Sequence, residues 1–569
     1  MIRFDDVSFT YAGATEPALA GVDLRIDEGE LCLVVGATGS GKTTLLQAVN
    51  GLVPHFTGGT LSGVVTVDGR DTRTHPPREL ADVVGFVGQN PGASFVTTSV
   101  EDELVYTMES LGRPRRAIRR QLEDALDLLS LADLRHRDPS ELSGGQQQRV
   151  AIGAVLAANP SALVLDEPTS ALDPLSAEDV LASLTRLVDD LGITVVVAEH
   201  RLERVLGHAD RMIWLPGDAR SPVSGTVAEV MRVCPLRPPV VQLAGHAGWT
   251  PPTLTVRDAR TRATALRAEV RDRSPSMRTG RTPGAAVVSV DGLVVLRGDR
   301  RAPVTALALV DLEVHAGTIT AVMGRNGSGK SSLLGALAGA HEPSLGRISY
   351  PDADLPAARP SRWSRRRDRT DDAPHRWSPR ELVRRVGLVP QNPADLLYLS
   401  SVAAECTAAD ADTGSQPGRC RALLDELVGG LPPERHPRDL SEGQRLALAL
   451  AIVLTGDPPL LLCDEPTRGL DYPSKHRLVR MLADQAAAGR AVVVASHDVE
   501  LVAELADAVV LLANGQVVDR GPTAQVLTAS PTFAPQMAKV FRPTPLLTVD
   551  DVGAVLGWPG ELGWPGNLG

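Results

Sequence analysis

The sequence predicts an α/β protein built from two tandem copies of one phosphate-binding domain. Two glycine-rich segments, 36–44 (GATGSGKTT) and 324–332 (GRNGSGKSS), have the Walker A pattern, which surrounds a phosphate with backbone N–H groups. Each follows an apolar run typical of a buried strand, and each precedes leucines at helical spacing. Further motifs recur in one order in both halves. Together these observations favour a duplicated strand–loop–helix domain.

The two glycine-rich loops are predicted to bind the phosphates of ATP. Lys42 and Lys330 would reach the terminal phosphates, and the hydroxyls of Thr43 and Ser331 would hold Mg²⁺. Lys and Arg total 58, and only four of these are lysines, so lysine at both loop positions argues against an accidental match. The predicted nucleotide-binding residues of the loops are Gly36, Thr38, Gly39, Ser40, Gly41, Lys42, Thr43 and Thr44, and Gly324, Asn326, Gly327, Ser328, Gly329, Lys330, Ser331 and Ser332.

Length and composition exclude several classes of protein. A chain of 569 residues is too long for one core and suits two to four domains. It has no run of 18 apolar residues and no signal segment, so we expect a cytoplasmic protein whose membrane role, if any, is peripheral. A net charge of −11 and 3% aromatic residues argue against a nucleic-acid partner. The five cysteines are expected to be reduced core thiols.

The duplication defines the expected domains. Gln89-Asn-Pro recurs as Gln391-Asn-Pro, LSGGQ at 142–146 as LSEGQ at 440–444, and Asp-Glu-Pro-Thr at 166–169 as the same motif at 464–467. We expect a first domain over 1–232, a Pro- and Arg-rich linker over 233–284, a second domain over 285–530 and a flexible tail over 531–569. The second copy has about 14 extra residues, which we assign to the interval 357–385. This interval is either a solvated insertion or a basic contact, and the LGWPG repeat at 556–566 either a docking peptide or a disordered end.

Acidic residues follow an apolar run in each half. Asp166 and Asp464 end predicted strands, where a carboxylate can hold Mg²⁺ as the Walker B aspartate does. Glu167 and Glu465 follow directly and are the candidate bases for the attacking water. His200 and His497 each follow another predicted strand. A lone histidine is usually structural, but recurrence at matching distances favours a contact with the γ-phosphate.

At LSGGQ the chain resembles the ATP-binding cassette (ABC) ATPases, over about 230 residues of each half. The resemblance implies a RecA-like core, an antiparallel β subdomain and a helical signature subdomain in each half. It also implies that Gln89 and Gln391 sense the γ-phosphate and contact Mg²⁺, and that one half's Walker A loop and the other's signature enclose one ATP. The matching signature residues are Ser143, Gly144, Gly145 and Gln146, and Ser441, Gly443 and Gln444.

The two predicted sites differ at two positions. Tyr11 is placed to stack on adenine at the site built on Lys42, whereas alignment puts Arg297 at the equivalent position of the second copy. The second signature has Glu442 in place of a glycine. Glu442 would repel the triphosphate if it pointed inward and would be harmless if it faced outward. We expect both sites to hydrolyse ATP with unequal affinities.

A narrower resemblance follows the glutamines. The stretch from Gln89 to Glu103, QNPGASFVTTSVEDE, looks like the energy-coupling-factor (ECF) and cobalt-type importer ATPases, and the stretch from Gln391 to Glu405 is a partial match. That family implies two membrane partners, a transmembrane coupling subunit and a substrate-binding subunit, with the cassettes at the cytoplasmic face of the membrane. It also implies uptake of a vitamin or a metal ion. The alternatives are twin-cassette proteins that act on ribosomes and cassette ATPases of DNA repair. The Pro-rich linker disfavours the first, and the lack of zinc-type cysteine pairs disfavours the second.

Overall fold

The computed structural model describes residues 1–218, 220–273, 280–298, 303–351 and 373–558. The described residues divide into two compact units, 1–262 and 263–558. Each unit contains a six-stranded sheet with a parallel centre, a separate antiparallel sheet and a set of helices that includes the signature motif. The predicted α/β fold with two tandem copies is therefore confirmed.

The first unit contains ten strands and eleven α-helices among its described residues. The strands are β1 (Ile2–Thr10), β2 (Leu19–Ile26), β3 (Leu31–Gly36), β4 (Thr60–Val67), β5 (Arg70–Asp71), β6 (Val84–Val87), β7 (Ala162–Asp166), β8 (Thr194–Ala198), β9 (Arg211–Leu215) and β10 (Val223–Thr226). The helices are α1 (Lys42–Val49), α2 (Leu52–His55), α3 (Pro77–Leu80), α4 (Val100–Ser110), α5 (Arg115–Leu128), α6 (Gly144–Leu156), α7 (Pro174–Leu191), α8 (Leu202–Val205), α9 (Val227–Val233), α10 (Pro239–His246) and α11 (Val256–Arg262).

The second unit repeats this order. Its described strands are β11 (Ala286–Arg297), β12 (Val304–His315), β13 (Ile319–Met323), β14 (Leu345–Ser349), β15 (Val386–Val389), β16 (Leu460–Asp464), β17 (Ala491–Ala495), β18 (Ala508–Ala513) and β19 (Gln516–Pro522). Its helices are α12 (Thr264–Asp272), α13 (Lys330–Leu337), α14 (Pro379–Arg385), α15 (Val402–Thr413), α16 (Arg419–Leu427), α17 (Glu442–Thr455), α18 (Tyr472–Ala487), α19 (Val499–Leu505), α20 (Thr523–Ala529), α21 (Gln536–Phe541) and α22 (Val549–Leu556).

The order of the parallel strands brings the predicted motifs to one edge of each sheet. The first sheet has the order β10-β9-β3-β8-β7-β6, and the second has β15-β16-β17-β13-β18-β19. Strands β3, β7 and β8 are buried along their whole length, because neighbouring layers cover both faces of a parallel sheet. Since these strands run parallel, the segments that follow them emerge at the same carboxyl edge. The phosphate loop, the acidic pair and the histidine segment therefore lie side by side.

The antiparallel sheet of the first unit packs against α1, the helix that follows the phosphate loop. Phe4 and Phe9 of β1 share a hydrophobic core with Leu45 and Leu46 of α1. The sheet order is β2-β1-β4-β5, with β1 paired antiparallel to both β2 and β4. Burial of these large side chains fixes α1, and with it the end of the phosphate loop.

The repeat continues past the predicted end of each domain. Residues 254–258 read Leu-Thr-Val-Arg-Asp and residues 547–551 read Leu-Thr-Val-Asp-Asp. The Thr255 hydroxyl accepts from the Asp258 amide at 3.1 Å, and the Thr548 hydroxyl accepts from the Asp551 amide at 3.1 Å, so α11 and α22 begin with the same cap. The predicted linker therefore contains α10, α11 and α12, and the compact first unit extends to residue 262. Within the predicted flexible tail, residues 536–541 form α21 and residues 549–556 form α22, with Phe541 and Val552 buried.

The extra residues of the second copy lie before residue 379, so the last part of the interval 357–385 does not belong to them. Pro379-Arg-Glu-Leu in α14 repeats Pro77-Arg-Glu-Leu in α3, so the two copies are already in step again at residue 379. Trp377, just before this helix, packs edge-on against Tyr350 with ring centroids 4.8 Å apart. The Arg385 guanidinium lies 4.5 Å from the Trp377 ring centroid. Residues 357–372 of the interval, and residues 559–566 of the LGWPG repeat, lie outside the described residues.

In the described part of the chain, none of the helices combines the length and apolar character that a membrane span requires.

All five cysteines are free and buried, as expected for core thiols. Burial raises the pKa of the Cys32 and Cys463 thiols to about 12, so neither is an activated nucleophile.

Candidate functional site at the phosphate loops

Each phosphate loop is closed by glycines that approach other atoms too closely for a side chain. A Cβ atom on Gly36 would lie 2.3 Å from the Ser40 hydroxyl, and one on Gly324 would lie 2.5 Å from the Ser328 hydroxyl. Gly41 combines a positive φ of 95° with a Cβ position 2.5 Å from the Ala18 carbonyl oxygen. Only glycine fits these positions, so the loop geometry depends on the motif.

The two lysines lie over their own loops. The Lys42 ammonium donates to the carbonyl oxygens of Gly36 and Ala37, both at 3.0 Å. The Lys330 ammonium donates to Gly324 at 2.9 Å and to Arg325 at 3.2 Å. The described loops also contain two buried hydroxyls without a hydrogen-bond partner, those of Ser40 and Ser328. Positive charge and unsatisfied donors therefore line both loops, as anion binding requires.

The Walker B segment of the first unit joins the loop through a hydroxyl. Thr43 donates its Oγ1 proton to Asp166 Oδ2 at 2.8 Å. Glu167 follows in a left-handed backbone conformation with φ 51°, which is uncommon for a residue other than glycine. Its amide donates to the Ala198 carbonyl at 2.9 Å, which anchors this conformation to β8. Glu465 has φ 47° and the same bond to Ala495 at 2.8 Å. Strain of this kind is concentrated at functional sites.

Two side chains converge on the carboxylate of Glu167. His200 Nε2 lies 2.9 Å from Glu167 Oε1, and Gln89 Nε2 donates to Glu167 Oε2 at 2.9 Å. The structure thus brings together the loop lysine, the acidic pair, the histidine and the glutamine of the first unit. These are predicted phosphate-binding, catalytic and metal-binding residues, and they come from four separate segments of the sequence.

The second unit assembles its residues differently. His497 contacts Glu465 Oε2 through Nδ1 at 2.7 Å, and the His497 amide donates to the same oxygen at 3.3 Å. Glu465 Oε1 lies 3.5 Å from the Lys330 ammonium. Gln391 is exposed, whereas its counterpart Gln89 contacts the glutamate. The two sites therefore share residues but differ in the partners of the glutamate.

Burial and local partners set the charge of the acidic residues. Burial raises the pKa of Asp166 and of Asp464, against the opposing hydrogen bonds from Thr43 and Ser331. Burial would also raise the pKa of Glu167, but His200, Lys42 and Gln89 outweigh it, so its pKa lies below the ordinary value. Glu167 is therefore ionised at neutral pH and able to accept a proton.

The signature residues form a separate group at the start of α6 and α17. Ser143 caps α6 and exchanges hydrogen bonds with Gln146 at 2.9 and 3.4 Å, and Ser441 does the same with Gln444 at 3.1 and 3.3 Å. A Cβ atom on Gly145 would lie 2.9 Å from Ser176 Cβ, and one on Gly443 would lie 3.0 Å from Ser474 Oγ. The second signature glycine is therefore required for packing against the next helix.

The substitution of the first signature glycine by Glu442 is accommodated. A Cβ atom on Gly144, the equivalent residue, meets only a Leu172 methyl group at 3.5 Å, which is ordinary van der Waals contact. The Glu442 carboxylate accepts a hydrogen bond from Arg445 at 2.8 Å. Glu442 is thus turned along its own helix and paired, which favours the outward orientation among the two considered from the sequence.

The two predicted base-stacking residues have different surroundings. The Tyr11 hydroxyl lies 2.9 Å from Thr44 Oγ1, and its ring meets Phe9 edge-on at a centroid distance of 4.8 Å. Tyr11 is therefore held next to the phosphate loop. Arg297 ends β11 and is exposed.

Sequence reasoning missed a buried glutamate that recurs in both halves. Glu103 accepts from the amides of Val96 and Thr97 at 3.1 and 3.0 Å, and from the Thr97 hydroxyl at 2.8 Å. Glu405 accepts from the Leu399 amide at 2.6 Å. Both glutamates are buried, and both lie 14 residues after the loop glutamine. That equal spacing was the available signal.

A second missed residue is Glu199, which directly precedes His200. It is 1% exposed and accepts from the Thr169 amide at 2.7 Å and the His200 amide at 3.2 Å. Arg204 donates to the carbonyl oxygens of Thr169 and Leu172 at 3.5 and 3.2 Å. The sequence offered only a weak signal, because the equivalent residue in the second copy is Ser496.

The residues at the loops fit a magnesium ion. A hydroxyl and a carboxylate, contributed by Thr43 and Asp166 or by Ser331 and Asp464, are oxygen ligands of the type that Mg²⁺ prefers. Asp464 Oδ1 is buried and has no hydrogen-bond partner. A buried carboxylate oxygen without a partner is unfavourable, and a bound cation would satisfy it.

The raised pKa of Asp166 leads to a prediction about stability. An acid whose pKa is raised by folding stabilises the protein at low pH, and this contribution is lost as pH rises through the folded-state pKa. At neutral pH the buried, ionised carboxylate is therefore unfavourable. We expect Asp166→Asn to raise the unfolding temperature of the nucleotide-free protein at pH 7.5 by roughly 2–4 °C, the shift that about 1 kcal/mol produces in a domain of this size.

The measurement is a thermal unfolding series that starts at pH 7.5 and is lowered toward about pH 4, the ordinary pKa range of an aspartic acid. The difference between Asp166→Asn and the parent should narrow as the pH falls, because the parent carboxylate becomes protonated. Asp179→Asn, an exposed change in the same unit, is the control and should leave the temperature unchanged. A lower unfolding temperature for Asp166→Asn at pH 7.5 would contradict the burial argument.

Comparison with known proteins identifies the family. A family model described as ABC transporter matches residues 19–170 and 307–468. The chain is 56% identical over 583 residues to an ABC transporter ATP-binding protein of Streptomyces avermitilis, covering 98% of this chain and 100% of that protein. It is 31% identical over 553 residues to an ABC transporter ATP-binding protein of Methanosarcina mazei, covering 92% and 90%.

A solved structure has the same twin-domain fold. The archaeal ribosome recycling factor aABCE1, in complex with the ribosomal stalk protein aP1, has a TM-score of 0.56 and 19% identity, covering 92% of this chain and 91% of that chain. At this identity the likeness shows the fold alone. From the family match and the full-length relatives, the chain belongs to the ABC transporter family and is an ATP-binding ATPase with two tandem cassettes.

Proposed function

We propose that this chain is the ATP-hydrolysing energy-coupling subunit of an ECF-type importer. It would drive uptake of a micronutrient, such as a vitamin or a transition metal ion, through separate membrane subunits. The main support is that each half combines a phosphate loop and an acidic pair with a loop, after Gln89 or Gln391, that is held by a buried glutamate. The full-length relatives named as ABC transporter ATP-binding proteins support a transport role.

The first site supplies the groups that ATP hydrolysis needs. Lys42 and the loop amides would hold the phosphates. Glu167 would accept a proton from the attacking water while the water oxygen bonds to the terminal phosphorus and ADP leaves. His200 and Gln89, which both contact Glu167, would orient that carboxylate and the water. In the second site Lys330, Glu465 and His497 would act in the same way.

Magnesium is the proposed cofactor of both sites. Thr43, Asp166 and Gln89 would hold it in the first site, and Ser331, Asp464 and Gln391 in the second. When bound, it neutralises charge that develops on the phosphate oxygens. The chain's own contribution is to keep each hydroxyl next to its buried aspartate, as Thr43 and Asp166 are at 2.8 Å.

The loop after each glutamine is the proposed docking surface for the membrane subunits. Val96 is 62% exposed and Tyr398, its counterpart, is 76% exposed, although both are apolar or aromatic. Phe95, which directly precedes Val96 in the same loop, is half-buried. A rigid loop that presents an exposed apolar residue suits contact with a partner. This arrangement supports a peripheral position at the cytoplasmic face of the membrane.

Ribosome action is the competing proposal, and its support is the fold alone. Co-purification from detergent-solubilised cells separates the two. We expect hydrophobic membrane subunits to be recovered with the chain. Recovery of ribosomal subunits instead would overturn the importer proposal.

Hydrolysis should require both halves, because the resemblance implies that each site borrows its signature from the other. Separately expressed halves, each kept monomeric, should hydrolyse ATP very slowly in a Mg²⁺-dependent phosphate-release assay. Full activity in an isolated monomeric half would refute this dependence.

The two candidate bases should both matter, to unequal extents. Glu167→Gln and Glu465→Gln should each lower kcat by on the order of 10²- to 10⁴-fold, the range for loss of a general base. The residual rates should differ because Glu167 contacts Gln89, whereas Glu465 lies beside Lys330. Steady-state ATPase assays of the two full-length variants test this. Near-normal activity in either variant would show that its site is not a working one.

Coupling should be separable from hydrolysis at the docking loop. Val96→Glu should reduce recovery of the membrane subunits by at least about tenfold, because it places a charge at the centre of an apolar contact. Basal ATPase activity should change by less than about twofold, since the Val96 side chain is exposed and its amide bonds to Glu103, outside the phosphate-loop cluster. Phe95→Ala is the companion variant. Equal losses of partner recovery and ATPase activity would count against the docking assignment.

A further inference from the structure

We propose that Glu199 is a positioning residue of the first site, which keeps Glu167 available to Gln89 by holding the backbone of His200. The inference rests on the proposed role of Glu167 as the base, and it adds a residue that neither the motifs nor the family description includes.

Glu199 joins two segments that carry the reaction. Its Oε1 accepts from the amide of Thr169, a residue just after the acidic pair, at 2.7 Å. Its Oε2 accepts from the His200 amide at 3.2 Å. The side chain is 1% exposed, and burial raises its pKa. A buried carboxylate is unfavourable unless its oxygens are hydrogen-bonded, and here each oxygen has a backbone donor. The pair of bonds therefore fixes the spacing between the two segments.

Arg204 holds the same segment from its carbonyl side. It donates to the Thr169 carbonyl oxygen at 3.5 Å and to the Leu172 carbonyl oxygen at 3.2 Å. Both the amide and the carbonyl of Thr169 are thus bonded to residues 199–204. Hydrogen bonds therefore join the segment around Thr169, which follows Glu167, to residues 199–204.

The second site lacks this carboxylate. Its candidate base accepts the hydrogen bond from the histidine amide instead. Ser496 occupies the position of Glu199, and its hydroxyl accepts from the Asp498 amide at 3.0 Å, within its own segment. The His497 amide donates to Glu465 Oε2 at 3.3 Å. The bond that Glu199 makes in the first site is therefore made by the candidate base in the second.

This difference determines which groups reach the base. Because Glu199 takes the His200 amide, both Glu167 oxygens accept side chains: Oε1 meets His200 Nε2 and Oε2 meets Gln89 Nε2, each at 2.9 Å. Without Glu199, the buried His200 amide would need another acceptor, and Glu167 is the one used by the second site. That rearrangement would draw Glu167 away from Gln89.

The test measures kcat and KM for ATP in the full-length chain. Glu199→Ser introduces the residue of the second site, and Glu199→Gln keeps the size while replacing one acceptor oxygen by a donor. Both are made in the parent and in the Glu465→Gln chain, in which Glu167 is the remaining candidate base. We expect kcat to fall at least about tenfold, since a misplaced catalytic group is costly, while KM stays within about twofold because the phosphate loop is untouched. Glu178→Ser, an exposed change on α7, should leave both constants unchanged.

A double-mutant cycle with Gln89→Ala provides a readout that general destabilisation would not give. If Glu199 acts by keeping Gln89 on Glu167, then Gln89→Ala should lower kcat in the parent. In the Glu199→Ser chain, the same change should lower kcat by less than about a further twofold. Three results would each overturn the positioning role. They are an unchanged kcat in a folded Glu199→Ser chain, additive effects of the two changes on kcat, and a rise in KM that matches the fall in kcat. If Glu199→Ser does not fold, Glu199→Gln decides by the same criteria.

The outcome also separates this inference from the function on which it rests. Loss of activity in Glu167→Gln together with normal activity in Glu199→Ser would refute the positioning role and leave the base assignment intact. Normal activity in Glu167→Gln would refute the base assignment, and the positioning role with it.

Discussion

The burial of two adjacent carboxylates at the end of a central strand is the constraint on which each unit depends. Asp166 and Glu167, like Asp464 and Glu465, are less than 10% exposed and would be strongly unfavourable without partners. The partners come from the phosphate loop, the histidine segment and, in the first unit, the glutamine loop. The parallel strand order is what delivers these segments to one edge. The same charges that make the site unfavourable in an empty protein make it suited to a cation and a proton.

Much of the site could be predicted because it is encoded in short, contiguous motifs. Lys42 and Thr43 lie in one loop whose shape is determined by glycines, and Asp166 and Glu167 follow an apolar strand, so local sequence defined both their identity and their place. The fold class followed from the same patterns, since continuous apolar runs mark strands covered on both faces. The parts that were predicted best are therefore those in which neighbours along the chain are also neighbours in the site.

The remaining features depend on contacts between distant segments. Nothing in the sequence around Glu199 distinguishes a carboxylate that bonds Thr169, 30 residues away, from one that faces solvent. Likewise, Gln89 and Gln391 stand in equal motifs, yet only the former was found on its glutamate. The structured region after residue 232 was missed because prolines and arginines dominate its composition, although Pro239 opens α10 at the first helical position, where proline is tolerated. Composition described this region correctly but did not determine its conformation.

The capped helices α11 and α22 indicate how the chain arose. Each copy carries its Leu-Thr-Val-x-Asp element beyond the sheet, with the same threonine cap and the same spacing to its aspartate. Shared detail at this level is explained most simply if the ancestral gene already encoded the helices before it was duplicated. The fusion point then falls after α11, so a single-cassette ancestor would have comprised the ATPase fold together with this helical extension. The differences now seen at Glu199 and Ser496 would have accumulated afterwards, once one polypeptide held both copies and each was free to specialise.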